Sequence, residues 1–422
     1  MKRVLMVAYH FPPLAGSSGI QRTLRFAQHL PQMDWEPLVL TVHPRAYERT
    51  SPDLDAEVAP GWVVRRAFAL NTAQHLSWRG RYWGGLARPD KWVTWRFDGV
   101  RQGLAMIREF RPDVLWSTYP IATAHLIAAR LHQRTGLPWV ADFRDPMAQE
   151  GYPPDPKTWR SFRRIEESAI RSASRAIFTT PSAAHEYADR YPAHAAKIAV
   201  IENGYDEQSF GAAADAAGEM GPLRAGVLTL LHSGIVYPDE RDPTCLMEAL
   251  AKIRRLGEVD TARLRVRFRA ALHDEVLRDL ARRFGVEDLV EVEPPIPYRQ
   301  ALVEMMRADG LLVLQASNCN SQIPAKVYEY LRARRPLLLL SDPAGDTAQV
   351  LRTSGIAQSA RLDRSNEITA LLSGFVLNPA SRAAFVPTEE SVRAASREGR
   401  TRALAKILDE ICGPGPMAVP AA

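Results

Sequence analysis

Apolar runs of strand length alternate with amphipathic stretches of helical length along most of the chain, and the alternation occurs twice. In the first half, the runs near 2–10, 36–42, 113–117, 139–143, 176–180 and 198–201 predict buried strands. The stretches 20–30, 100–110, 121–135, 159–174 and 183–191 between them repeat their apolar positions at helical spacing. In the second half, strands are predicted at 227–232, 264–270, 289–292, 310–314 and 336–340, and helices at 244–254, 274–284, 299–307 and 325–334. Continuously apolar strands joined through helices read as parallel sheets covered on both faces. Two such series predict an α/β chain of two Rossmann-like, doubly wound domains facing across a cleft.

The Ala/Gly-rich stretch 211–226 reads as a linker, which sets a first domain at 1–210 and a second at 222–389. A last amphipathic helix, about 390–411, precedes the Pro/Gly-rich tail CGPGPMAVPAA, for which disorder is expected. Residues 43–98 follow neither period and read as irregular.

Composition changes this picture little. At 422 residues the chain has room for two domains, and 46% hydrophobic with 24% charged residues is ordinary for a globular core. Cys245, Cys319 and Cys412 are widely separated, so neither a disulfide framework nor a metal-ligand spacing is expected. No apolar run approaches the roughly 20 residues of a membrane span, and no signal peptide is read. The expected location is the cytoplasm, at the inner face of the cell membrane. The net charge of +6 comes without zinc spacing, a ribonucleoprotein motif or a lysine-rich arm, so nucleic acid is not an expected partner.

An anionic membrane surface or an anionic lipid-linked acceptor makes better use of that charge. Trp78, Trp83, Trp92 and Trp95 lie beside Arg79, Arg81, Arg88, Lys91 and Arg96, a mixture that suits a membrane interface. It suits stacking on sugar rings, or an ordinary loop with part-buried tryptophans, equally well. Asp53-Leu54-Asp55 spells a metal-binding pattern but lacks a preceding buried strand, and reads as a chance match.

Candidate chemistry gathers where loops follow strands. The loop FPPLAGSSG has Gly16 and Gly19 without GxGxxG spacing, and no acidic residue ends the next strand, so a dinucleotide dehydrogenase is poorly supported. The strand ending in DFRDP delivers Asp142, Arg144 and Asp145 to the edge where parallel sheets bind ligands. SGIVYPDERDP offers Gly234 for close backbone approach and Arg241 as a phosphate cation. In NSQIPAKVYEYLRARRPLLLL, Pro324 opens a helix whose free amides, with Lys326, would hold a pyrophosphate, while Glu329 would accept from ribose hydroxyls.

Several of these stretches resemble glycosyltransferase family 4, retaining enzymes of the GT-B fold. They are FPPLAGSSGIQRTLRFAQHL, TGLPWVADFRDP, Asn203-Gly204-Tyr205-Asp206 followed by Phe210, and above all Pro324-Ala325-Lys326 with Glu329-Tyr330-Leu331. The resemblance covers 1–40, 112–146, 203–210, 232–243 and 318–340. It departs from the family at Ser321, which stands where the first of two paired glutamates belongs, and in the absence of a histidine at the DFRDP loop.

What it implies is transfer of a hexose from a nucleoside-diphosphate sugar, a UDP-sugar foremost, to a glycolipid or polysaccharide acceptor, with retention and without metal or cofactor. Gly16, Gly19, Gly234, Arg241, Ser321, Ile323, Lys326 and Glu329 would meet the donor. Ser17, Ser18 and Arg144 would meet the acceptor, and Arg241, Lys326, Asp142 and Asp145 would serve the chemistry. The closing helix would return to the first, acceptor domain. Two alternatives remain: a non-hydrolysing sugar-nucleotide epimerase, for which His232 is the one well-placed histidine, and a silent sugar-nucleotide-binding partner.

Overall fold

The structure, a computed structural model, describes residues 1–15, 17, 19–79 and 81–413. Gly16, Ser18 and most of the tail expected to be disordered lie outside the described residues. The chain divides into two compact units. The first holds residues 1–202 together with 397–422, and the second holds 203–396.

In the first unit, seven strands are found among the described residues: β1 (Lys2–Val7), β2 (Trp35–Val42), β3 (Val63–Ala67), β4 (Val114–Thr118), β5 (Trp139–Arg144), β6 (Arg175–Phe178) and β7 (Ile198–Val200). They pair in parallel in the order β3-β2-β1-β4-β5-β6-β7, so the order reverses between β1 and β4. In the second unit, β8 (Leu228–Ser233), β9 (Leu264–Arg269), β10 (Val290–Glu293), β11 (Gly310–Gln315), β12 (Leu337–Ser341) and β13 (Ser359–Ala360) pair in parallel as β10-β9-β8-β11-β12-β13, reversing between β8 and β11. Such reversal points open the crevice at the carboxyl edge of a parallel sheet in which ligands bind.

The apolar runs are continuous because both faces of each sheet are buried. In β1, Leu5 and Val7 belong to one cluster and Val4 and Met6 to another, the period-two division of a pleated strand. In the second sheet, Leu338 and Leu340 face one core while Leu337 and Leu339 face the other. The helix Arg397–Cys412 buries Leu404, Ala405 and Leu408 in the cluster of Val4 and Met6. Asp409 there pairs with Lys2 at 2.9 Å.

Several boundaries differ from the sequence reading. The first part of the stretch expected to be a linker, 211–219, belongs to the helix Glu207–Glu219, capped by the Asp206 side chain accepting from Ser209 N, with Glu207 paired to Arg332 at 2.5 Å. Alanine favours a helix wherever a cap starts it, and the composition alone hid that cap. β3 was concealed because its residues VVRRA are mostly half-buried, so neither strand pattern is clean. The final helix is two, Glu389–Ala394 and Arg397–Cys412, and the units divide at that break. The helix predicted from residue 100 starts at Trp95, which is fully buried.

Candidate functional site

In the second unit, β8 carries His232 and Ser233 to the sheet's carboxyl edge, where Gly234 follows at φ +121°, a conformation that favours glycine. Lys326, the first residue of the helix Lys326–Ala333, crosses to this turn, and a Cβ at Gly234 would lie 2.5 Å from Nζ. Arg241 reaches the same turn from the other side, donating through Nη1 to the Ile235 carbonyl at 2.5 Å and lying 5.1 Å over the Tyr237 ring. The two cations expected to act together therefore converge on adjacent residues of backbone, Gly234 and Ile235. Burial first, and then the nearby Arg241 charge, push the Lys326 pKa down to about 7 against a smaller opposing pull from Glu329.

The helix start differs from the simple expectation of free amides. Val327 N donates to Pro324 O (2.9 Å) and Tyr328 N to Ala325 O (3.2 Å), a tight first turn that takes two of them. Val327, Tyr328, Tyr330 and Leu331 are buried, and the Tyr330 hydroxyl accepts from Ser233 N at 2.7 Å, which ties the helix to the β8 turn. Glu329 is half-buried beside them, and its Oε1 accepts from the Tyr298 hydroxyl at 2.8 Å. Ile323 packs against the Tyr330 and Leu331 core, and Ser321 is exposed on the preceding turn. Tyr298 escaped the sequence reading because it lies 31 residues from Glu329 at the start of another helix.

In the first unit, the carboxyl edge of β1 and β5 assembles a second polar group. Arg144 ends β5 at φ +62°, past a register shift between Asp142 and Arg144, and its carbonyl accepts from Thr179 N (2.8 Å) and Thr179 Oγ1 (2.9 Å). A non-glycine residue held there is strained, and such strain gathers at functional positions. The turn directs the guanidinium at Gly19, where an added Cβ would lie 3.0 Å from Arg144 Nη1 and 3.1 Å from His10 Cγ. Arg144 Nε is buried without a hydrogen-bond partner among the described residues.

Burial, and then Arg144, push the His10 pKa down to about 4, so this imidazole is neutral at physiological pH. His10, from the end of the first apolar run, was not anticipated; the polar residue closing an otherwise apolar strand was the available signal. Ser17 accepts from Gly19 N through Oγ and from Ile20 N through its carbonyl, both at 3.3 Å, and so caps the helix Gly19–His29. Asp145 is exposed and accepts from Thr179 Oγ1 at 3.3 Å.

Asp142 corrects the expectation that it projects into a crevice. It is fully buried, and its carboxylate accepts from Arg22 Nε at 2.7 Å and Nη2 at 3.0 Å. Arg22 in turn donates to the carbonyls of Ile201 and Glu202. A carboxylate with both oxygens committed to a buried guanidinium holds β5, β7 and the Gly19–His29 helix together, and does not meet a substrate. His232, the histidine named for an epimerase, is likewise committed within the fold. It is 1% exposed, its Nδ1 faces the Leu312 carbonyl at 3.0 Å, and its Nε2 faces Lys326 Nζ at 3.3 Å.

The glycosyl transferase 4-like domain model matches residues 18–204. The D-inositol 3-phosphate glycosyltransferase of Streptosporangium roseum is 26% identical over 365 residues, covering 77% of this chain and 77% of that protein. Its counterpart from Nocardiopsis dassonvillei is 31% identical over 205 residues, 45% of this chain and 46% of that protein. Among solved structures, the sucrose-phosphate synthase of Thermosynechococcus elongatus superposes with a TM-score of 0.62 at 14% identity, over 97% of this chain and 99% of that one. HepE of Anabaena in complex with UDP gives 0.63 at 14% identity, over 97% and 100%. These two share the GT-B fold, in which each half is a Rossmann-like sheet of the kind described above. The first unit thus matches a glycosyl transferase 4-like domain, and the sequence relatives named above are glycosyltransferases, so the chain is of the glycosyltransferase type.

Proposed function

We propose that the chain moves a hexose from a UDP-sugar to an acceptor that carries a phosphate, soluble or lipid-linked, with retention at the anomeric carbon. The observation that carries the reading is the convergence of Lys326 Nζ and Arg241 on the Gly234 turn at the carboxyl edge of the second sheet. When the anomeric C–O bond breaks, its electron pair goes to the diphosphate, and two fixed cations there stabilise the growing charge in place of a metal ion. The acceptor hydroxyl bonds to the anomeric carbon on the face the diphosphate leaves, and its proton passes to the departing phosphate oxygen, so no protein nucleophile is needed. Glu329, held by Tyr298, accepts from the ribose hydroxyls. HepE, which shares the fold, is described in complex with UDP and with UDP-glucose, which supports this donor class.

The acceptor falls to the first unit, where Arg144 offers a buried Nε without a hydrogen-bond partner among the described residues, on the guanidinium whose Nη1 meets Gly19. The relatives named for inositol 3-phosphate act on an acceptor of that chemistry. Membrane contact belongs to the same proposal. A groove of about 620 Å³ between the helices Trp95–Phe110 and Ala122–Thr135 sets Arg96, Arg101, Arg108, Arg130 and Arg134 around an apolar floor, which suits an anionic lipid surface.

The test is incubation of wild type, Lys326→Ala and Arg241→Ala with UDP-glucose and phosphorylated acceptors, following UDP release and the anomeric proton of the product by NMR. Each variant is expected to lose transfer by about 100-fold or more, on the scale of a lost oxyanion donor. Wild-type turnover in both rejects the donor site, and an inverted product rejects retention.

A further inference from the structure

The polar contact behind Lys326 has no part in the chemistry above, yet it is built with care. His232 sits near the end of an apolar strand, 1% exposed, its ring 6.0 Å from that of Phe268. Its Nδ1 lies 3.0 Å from the Leu312 carbonyl, which only accepts; the tautomer that donates there leaves the Nε2 lone pair available. That lone pair faces Lys326 Nζ at 3.3 Å. Burial, and then the Lys326 charge, hold His232 well below the ordinary histidine range, so the ring stays neutral. Arg241 also bears on both partners and Glu329 on Lys326, while the Leu312 and Ile235 backbone pulls the His232 pKa the other way.

We infer that His232 is a positioning residue: its Nε2 holds the Lys326 ammonium against Gly234, aimed for the diphosphate of the donor. The inference rests on the donor-site reading above. A lysine on a four-carbon stem has several rotamers, and an ammonium taken out of water needs acceptors for its three N–H bonds. A neutral imidazole anchored through Nδ1 supplies one acceptor in a fixed place without cancelling the positive charge. A carboxylate there would neutralise it and compete with phosphate; an apolar ring would leave the ammonium desolvated and free to swing or lose its proton.

UDP is the probe, titrated calorimetrically between about pH 6 and pH 9, the range that brackets the lysine transition. His232→Phe keeps the ring packing and removes the acceptor. It is expected to weaken UDP binding about ten-fold, the scale of one hydrogen bond to a charged group, and to move the alkaline fall of affinity to lower pH. His232→Gln places an amide oxygen near the Nε2 position and is expected to restore affinity to within about three-fold of wild type. A Phe variant that binds UDP like wild type across the range overturns the inference, as does a Gln variant no better than Phe. Lys326→Ala is measured beside them; if it too binds like wild type, the donor-site reading falls instead. Nitrogen-15 NMR of the unmutated protein gives an independent check, because Nε2 must resonate as a non-protonated imidazole nitrogen throughout, and a protonated Nε2 overturns the inference.

Discussion

A β-carbon at Gly234 would stand 2.5 Å from Nζ of Lys326. The backbone there, at φ +121°, also disfavours any side chain, so two separate demands meet at one residue. Gly234→Ala is therefore expected to weaken UDP binding by at least ten-fold, because either Lys326 withdraws or the turn shifts, at a backbone cost of roughly 1–3 kcal/mol. Calorimetric titration with UDP checks it, and binding equal to wild type would show that Lys326 has room to spare.

Lys326, with its pKa pushed down to about 7, is partly deprotonated at physiological pH, whereas a bound diphosphate demands the ammonium. Binding of UDP near pH 8 is then expected to take up protons, approaching one per site. Titrations in buffers of different ionisation enthalpy measure this directly. The linkage has a second consequence. The folded pKa lies below the unfolded value of 10.5, so from about pH 7 upward the unfolded chain binds more protons and this group's destabilising contribution shrinks. Lys326→Met is accordingly expected to melt above wild type at pH 6, with the gap narrowing by pH 9, while UDP binding is lost. A gap that widens with pH contradicts the assignment.

Much of this was legible in the sequence, because a lysine one position inside a helix after proline, and an arginine in the loop after a strand, are local patterns. Their meeting at one turn follows from sheet order, since β8 and β11 are neighbours and the segments that follow their carboxyl ends carry Arg241 and Lys326. What could not be read were contacts between distant segments. Tyr298 on Glu329, His10 on Arg144 and His232 behind Lys326 each join residues far apart in the chain with no spacing to mark them. Asp142 misled for a related reason: a charge at a strand end looks functional until its buried partner, 120 residues away, is known. Ala/Gly composition misled at Glu207–Glu219, where one aspartate cap decides between linker and helix.

The Arg22–Asp142 pair makes a prediction of its own. Both side chains are buried, and Asp142→Ala would leave a guanidinium without its counter-ion. Breaking such a pair from one side typically costs about 3–5 kcal/mol, whereas replacing both partners with apolar residues of similar volume is far milder. Urea unfolding of Asp142→Ala, Arg22→Met and Asp142→Leu/Arg22→Met should show the double variant more stable than Asp142→Ala. Equal losses for all three would mean the pair is not a unit.

The arginine groove of the first unit offers the sharpest test of membrane contact. Arg96, Arg101 and Arg130 line it, and the neighbouring exposed Phe97 gives it an apolar edge. Near an anionic surface each arginine contributes about 1 kcal/mol, so replacing these three with alanine is expected to weaken binding to phosphatidylglycerol vesicles by roughly 100-fold. Screening gives the control. Raising the salt concentration should weaken the wild type towards the triple variant, because charges at a wet interface act over only about 10 Å at 0.1 M salt. Zwitterionic vesicles should bind neither protein appreciably, and UDP affinity should be unchanged, since these arginines belong to a different unit from Lys326 and Arg241. Cosedimentation across a salt series measures all of these, and salt-independent binding that survives the triple substitution would move membrane contact to the exposed Trp78 and Trp83.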